Sequence, residues 1–266
     1  MLIVGELINS SRKNIQPAVE SRDGAFIQDV ASKQVEAGAG FVDVNAGTFV
    51  DEEPALLSWL VTTVQDHTGC ACSIDSANPK AIEAALAVHK GKAMVNSITL
   101  EESRYRGIVP LVVRYGCKVV ALAMDGRGIP ETARARAEIS GELVRRLTAD
   151  GVAREDIYLD PLVQPISTNS NNGTVVLDTI RFISEDLGVN SICGLSNVSY
   201  GLPVRSLVNR TFLVLAMGAG LQAAIINPLD KRLMSLLRAA EALLGRDAFC
   251  RRYLSAFRKG CFEQEQ

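Results

Sequence analysis

A short apolar run that ends in a carboxylate or a carboxamide recurs eight times along this chain, and few architectures accommodate such repetition. The sharpest instance is Ile157-Tyr158-Leu159-Asp160-Pro161-Leu162, a strand-like segment that delivers an acid and then a proline. Leu2 to Ile8 carries Glu6 and runs into Asn9, Phe41 to Ala46 carries Asp43 and Asn45, Cys72 to Ala77 carries Asp75, and Ala93 to Ile98 carries Asn96. Val119 to Met124 ends at Asp125, Ile192 to Ser199 carries Asn197, and Ala223 to Ile226 ends at Asn227. An acid leading out of an apolar strand is costly to bury without partners, so its recurrence points to a site rather than to packing.

Between these runs, apolar residues fall at intervals of three and four, which predicts helices over Ala18 to Ala37, Glu53 to Gln65, Pro79 to His89 and Ser103 to Tyr115. The same spacing continues over Glu131 to Asp150, Gly173 to Leu187, Val204 to Gly220 and Lys231 to Leu244. Strands alternating with helices predict a parallel sheet with helical crossovers. Eight such units in about 250 residues make one (β/α)8 TIM barrel, whose active site lies at the C-terminal ends of the strands. We therefore expect one domain over residues 1–266. Gly38, Gly116, Gly151 and Gly188 fall just past predicted helices, where a left-handed cap favours glycine. Arg251 to Gln266 is expected to form a final helix that frays.

Composition narrows the classes. With 47% hydrophobic residues and a formal net charge of -2, the chain has ample core and no basic patch for nucleic acid. No apolar run approaches the roughly 18 residues of a membrane span, and Met1 to Ile8 is too short for a signal peptide, so no membrane association and a cytoplasmic location are expected. Six irregularly spaced cysteines do not form a disulfide framework, and Cys70 and Cys72 have no nearby histidine to complete a metal site. His67 and His89 both fall near predicted helix ends, which suits capping better than catalysis.

Three connecting stretches stand near the expected mouth. Asn9 to Gln16 is polar and basic, and reads either as a cover over the mouth or as an ordinary surface loop. Val163 to Gly173, with Gln164, is longer and more polar than a usual strand-to-helix loop, and reads either as a lid or docking surface or as a disordered surface loop. After strand seven, Gly194 and small serines allow close backbone approach to a ligand, and Arg205 is near enough to face the mouth. Arg210 reads as a structural ion-pair partner.

The expected ring of Glu6, Asp43, Asn45, Asp75, Asn96, Asp160, Asn197 and Asn227 suits a flat heterocycle bearing adjacent N–H donors and a carbonyl. An ionised carboxylate accepts two parallel N–H groups, and an asparagine amide both donates and accepts. The 2-amino-4-oxo edge of a pterin has that pattern. No lysine sits at a strand end for Schiff-base chemistry, and histidine is too scarce for histidine-ligated metal hydrolysis. A magnesium site on Asp43, Asp75 and Asp160 is the chemical alternative, although we expect no metal.

Seven motifs, in order and colinearly spaced across nearly the whole chain, carry a family resemblance. They are Gly5-Glu6-Leu7-Ile8-Asn9, Asp43-Val44-Asn45, Ile74-Asp75-Ser76, Asn96-Ser97, Asp160-Pro161-Leu162, Gly194-Leu195-Ser196-Asn197-Val198-Ser199 and Asn209-Arg210-Thr211-Phe212. The chain resembles the pterin-binding methyltransferases that exchange a methyl group between tetrahydrofolate and a corrinoid protein. Among them it is most similar to the methyltetrahydrofolate:corrinoid/iron-sulfur protein methyltransferases and the tetrahydrofolate methyltransferase components of corrinoid-dependent demethylase systems. The resemblance implies a homodimeric barrel that binds tetrahydrofolate or 5-methyltetrahydrofolate, with cobalamin supplied by a partner corrinoid protein. It further implies that Asp75, Asn96 and Asp160 bind the pterin ring, that Asn197 lies near N5 and acts with Asp160 in catalysis, and that Asp43 and Ser199 are secondary contacts. Asn9, Arg205 and Gln164 are the candidate corrinoid or lid contacts. Tyr200 departs from the methyltetrahydrofolate:corrinoid/iron-sulfur protein methyltransferases, which carry a polar amide there, and Val163 to Gly173 departs from them as well. The alternatives are a pterin enzyme of the dihydropteroate synthase kind and a non-catalytic folate-binding module.

Overall fold

The computed structural model describes residues 1–262. Eight parallel strands close into a barrel in chain order. They are β1 (Leu2–Asn9), β2 (Phe41–Asn45), β3 (Ala71–Asp75), β4 (Met94–Ile98), β5 (Lys118–Leu122), β6 (Ile157–Asp160), β7 (Asn190–Gly194) and β8 (Ala223–Ile226). Outside run α1 (Gln16–Glu20), α2 (Gly24–Glu36), α3 (Glu53–Thr68), α4 (Pro79–Val88) and α5 (Glu102–Tyr115). The ring continues with α6 (Ala133–Ala149), α7 (Asn172–Phe182), α8 (Arg205–Gly218) and α9 (Lys231–Leu243), and α10 (Arg251–Arg258) follows. The expected (β/α)8 barrel is what the chain forms.

Local chemistry explains the boundaries. Asp23, Asn78, Thr132 and Asp230 each cap a helix by accepting a backbone N–H from its first turn. Pro17, Pro54 and Pro79 sit in first turns, where no N–H is needed. Gly116 and Gly188 end helical segments with left-handed backbone, and Gly38 and Gly151 have positive φ, as their positions suggested.

Two apolar layers result from the alternation of side chains along each strand. Inside the barrel, Val4, Phe41, Met94, Val120, Tyr158 and Ile192 form a plug. Outside it, Val42, Val44, Ile74, Val95, Val119 and Leu159 pack against the helices. The plug fills the lower barrel and leaves its upper end to polar residues.

Three expectations are corrected. The helix expected over Ala18 to Ala37 is two, because Asp23 breaks the run and caps α2 from outside. The apolar run Ile192 to Ser199 is strand only to Gly194, and Leu195–Ser199 turn as a 3-10 segment. The last helix ends at Arg258, and the part of that expectation covering 263–266 lies outside the described residues.

Gly220 closes the turn between α8 and β8 with φ +113, and a Cβ there would lie 2.7 Å from the Ser184 side chain. Both strain and overlap oppose a side chain. Gly220→Ala is expected to destabilise the fold by about 2–3 kcal/mol, read as a lowered urea midpoint. An unchanged midpoint would contradict this packing.

Candidate active site

The strand period that builds the plug also builds the site above it. Two residues beyond Val4, Phe41, Met94 and Tyr158 stand Glu6, Asp43, Asn96 and Asp160, on the same inward face. Asn45 follows Asp43 on that face, and Asp75 pairs in register with Asn96. Leu122, Gly194 and Ile225 hold the corresponding positions on β5, β7 and β8. The mouth is thus a polar arc over β1–β4 and β6, opened by small or apolar residues elsewhere.

Hydrogen bonds order this arc. Asn45 Nδ2 donates to Asp75 Oδ2 at 3.0 Å, while Asn45 Oδ1 accepts from Ser10 Oγ at 3.1 Å and Gly47 N at 3.0 Å. Asp43 lies deeper, its Oδ1 accepting from Ser73 Oγ at 2.7 Å and Asn96 Nδ2 at 3.3 Å. Asp43 therefore orients Asn96 from below, which fits a secondary role. The Asn96-Ser97 peptide is cis, and Arg104 Nε donates to Ser97 O at 3.0 Å.

Asp160 is buried, and its Oδ1 accepts from Leu162 N at 2.7 Å across a turn in which Leu162 has φ +63. Burial pushes its carboxyl up to about 7, against the Leu162 N–H and the Arg136 charge. Burial likewise raises Asp75 to about 6, against the Asn45 hydrogen bond and the Arg104 charge. Asp43 is raised well above the carboxylate range, first by burial and then by Asp75. Such displaced carboxyls at the C-terminal ends of barrel strands point to a functional site.

The remaining candidates form a rim. Asn197 is exposed on the turn after β7, and a Cβ on Gly194 would lie 3.5 Å from its Nδ2. Ser199 is buried beneath that turn, donating to Ser196 O and accepting from Arg205 Nε at 3.0 Å. Arg205 also reaches Ser196 O at 2.7 Å, so it braces the turn that carries Asn197. Beside it a cavity of about 320 Å³ opens between Glu6, Arg12, Ser196, Arg205 and Asn227. Asn9 Oδ1 accepts from Ser11, and Gln164 Oε1 accepts from Arg136, so both are tied to the chain. Arg210 pairs with Asp230 at 2.8 Å, as its position suggested. His89 Nε2 accepts from Cys72 N at 3.0 Å.

Two arginines absent from the expected ring also touch the site's turns. Arg104 resembles any helical surface residue, and no spacing marks it. Arg136 did carry a signal: it shares an apolar stripe with Ile139, Leu143 and Leu147, and an arginine in such a stripe is buried against something. Among the described residues no group of three or more His, Cys, Asp or Glu is arranged to hold a metal ion.

The pH response follows from the raised carboxyls. Between their unfolded value of 3.8 and folded values of about 6 and about 7, the folded chain binds more protons than the unfolded chain. Their contribution is fully present below about pH 4 and is lost as pH rises through about 7. Thermal unfolding of the empty protein should record that decline over this window. A stability that rises from about pH 5 to about pH 7 would contradict it.

A model of the pterin binding enzymes matches residues 8–227. The chain belongs to that family. This pterin-binding enzyme is 35% identical over 265 residues to a methylcorrinoid:tetrahydrofolate methyltransferase of Eubacterium limosum, covering 98% of this chain and 97% of that one. It is 28% identical over 241 residues to a methionine synthase of Mycobacterium tuberculosis, covering 85% of this chain but 20% of that longer protein. Among solved structures, a dihydropteroate synthase of Xanthomonas albilineans in complex with 7,8-dihydropteroate superposes with TM-score 0.69 at 17% identity, over 93% of this chain and 94% of that one. A dihydropteroate synthase of Yersinia pestis gives 0.68 at 18%, over 92% and 94%. At those identities the likeness establishes the barrel alone.

Proposed function

We propose that this pterin-binding enzyme transfers a methyl group between N5 of tetrahydrofolate and the cobalt of a corrinoid, and that it works from methylcorrinoid to tetrahydrofolate. The observation that carries the activity is the 35% identity along nearly the full length of both chains to a relative named for that reaction. The named direction of that relative supports the direction proposed here.

The mouth supplies what a pterin needs. Asp160 and Asp75 accept N–H groups from the pyrimidine edge, and Asn96, held by Asp43, supplies a carboxamide beside Asp75. We assign Asn197 a hydrogen bond at N5, supported by its exposed place on the turn after β7. In the proposed direction the N5 lone pair attacks the methyl carbon, the N–C bond forms, the Co–C bond breaks, and its electron pair stays on cobalt. The N5 proton then leaves to solvent. The chain's part is to bind and orient the pterin so that N5 faces an open mouth.

The corrinoid arrives on another protein. His67 and His89 are the chain's two histidines, and His89 is committed to the β3 backbone. We place the docking surface over the mouth, where Asn9, Gln164 and Arg205 lie, and the methyl source in a demethylation system. No helix among the described residues is long and apolar enough to cross a membrane, and a cytoplasmic enzyme is our reading. A second copy of the chain is expected against α8 and α9, where Leu207, Leu215 and Leu243 are 64%, 53% and 86% exposed.

A dihydropteroate synthase reading has less support, because the late strands offer Gly194, Ile225 and Asn227 rather than a pyrophosphate site, and Arg205 and Arg210 are engaged. Incubation with a dihydropterin pyrophosphate and 4-aminobenzoate tests that rival directly. No condensation is expected, alongside methylation of tetrahydrofolate by methylcobalamin. Condensation without methyl transfer would overturn the proposal.

A further inference from the structure

Arg136 is a fully buried arginine in α6 whose hydrogen-bond partners are all uncharged. Its Nε donates to Pro130 O at 2.9 Å, and Nη1 donates to Pro161 O and Leu162 O, both at 2.7 Å. Nη2 donates to Gln164 Oε1 at 3.1 Å. One planar fork therefore joins the loop before α6, the turn after β6, and the start of the 163–173 loop. A buried guanidinium is expensive unless its donors are satisfied, and a packed apolar residue would serve stability as well. The expense points to a purpose beyond packing.

The turn that Arg136 grips is the one that shapes Asp160. Leu162 has left-handed backbone, which a leucine rarely adopts, and only in that turn does its N–H meet Asp160 Oδ1. We propose that Arg136 is a positioning residue for the pterin carboxylate. Its fork locks the Pro161-Leu162 turn, so that Leu162 N–H fixes one oxygen of Asp160 and the other oxygen faces the substrate.

The inference rests on the reading of Asp160 as a pterin ligand. Arg136 also bears on Asp160 electrostatically, as the positive charge that opposes the effect of burial. The titratable groups facing Asp160 are Arg136 from α6 and the Cys193 thiol from β7, which burial keeps protonated. On β5, Leu122 stands opposite it in register. With the guanidinium gone, Asp160 stays protonated to higher pH and cannot accept two N–H groups. The tie to Gln164 gives the same residue a hold on the loop over the mouth.

The experiment is tetrahydrofolate binding to the full chain by calorimetry, from about pH 6 to about pH 9, for wild type, Arg136→Met, Arg136→Lys and Asp160→Asn. Folding of each variant is checked by circular dichroism. Arg136→Met is expected to weaken binding at least about fivefold near neutrality, with partial recovery at the alkaline end, since raising a carboxyl from about 7 by one pKa unit cuts its ionised fraction at pH 7 about fivefold. Arg136→Lys keeps the charge without the fork, so it should weaken binding at every pH and retain the wild-type profile. Wild-type affinity and profile in folded Arg136→Met, or in Arg136→Lys, would overturn the inference. Where Arg136→Met does not fold, Arg136→Lys decides alone. Asp160→Asn separates the two levels: wild-type binding there removes the pterin reading itself, whereas loss there without loss in the Arg136 variants removes only the positioning role.

Discussion

Asp160→Asn is expected to weaken tetrahydrofolate binding by about a hundredfold or more while making the empty protein more stable near neutral pH. Two charge-assisted hydrogen bonds contribute about 1.5–3 kcal/mol each, and the substituted amide turns a donor toward donors. The stability gain has the opposite sign for a simple reason. In the folded chain the carboxyl titrates at about 7 rather than 3.8, so above neutrality the fold holds a buried charge that the unfolded chain solvates freely. Three pKa units set a ceiling of about 4 kcal/mol, and loss of the Arg136 attraction reduces the gain to about 1–3 kcal/mol. The carboxamide oxygen introduced by the substitution still accepts from Leu162 N, so the turn survives. Calorimetric titration and urea unfolding near pH 8 check both parts. A destabilised variant that binds tetrahydrofolate normally would make Asp160 a structural residue.

Asn197→Ala is expected to lower kcat by about 10²–10³ while leaving KM for tetrahydrofolate and the melting temperature nearly unchanged. The residue is exposed on the 195–199 turn, and that turn is held by Ser199 and Arg205 rather than by the asparagine carboxamide. Truncation therefore removes no internal support, and a surface change of this kind stays within about 0.5 kcal/mol. Its loss falls on whatever the carboxamide contacts at the mouth. Steady-state methyl transfer separates kcat from KM, and a wild-type kcat would take Asn197 out of the reaction.

These two effects contrast because the residues were legible for different reasons. Asp160 announced itself as an acid leaving a buried strand, and burial is what makes it both costly and useful. Asn197 was legible as a polar residue at the end of the seventh apolar run, but its role at N5 came only from the family motif, since a polar residue on a turn has no physical signature of its own. Glu6, Asp43, Asp75 and Asn96 could be placed because the two-residue strand period fixes which side chains share the plug's face.

The misreadings have equally local causes. The apolar run from Ile192 to Ser199 outlasts strand seven because Leu195 and Val198 continue its pattern, although both are buried from a 3-10 turn. The division of α1 from α2 was hidden because apolar spacing runs through Asp23, whose capping role depends on a backbone angle that no pattern records. Arginine in a helix usually reaches solvent, and only its place on the buried stripe distinguishes Arg136.

The most direct test is a single-turnover visible spectrum of the enzyme mixed anaerobically with methylcobalamin and tetrahydrofolate, recorded for wild type, Asp160→Asn and Asn197→Ala. Conversion of methylcobalamin to cob(I)alamin with one equivalent of 5-methyltetrahydrofolate is expected for wild type, slowed severely in both variants. Tight tetrahydrofolate binding without any spectral change in wild type, in this direction or in reverse, would contradict methyl transfer and leave a folate-binding barrel.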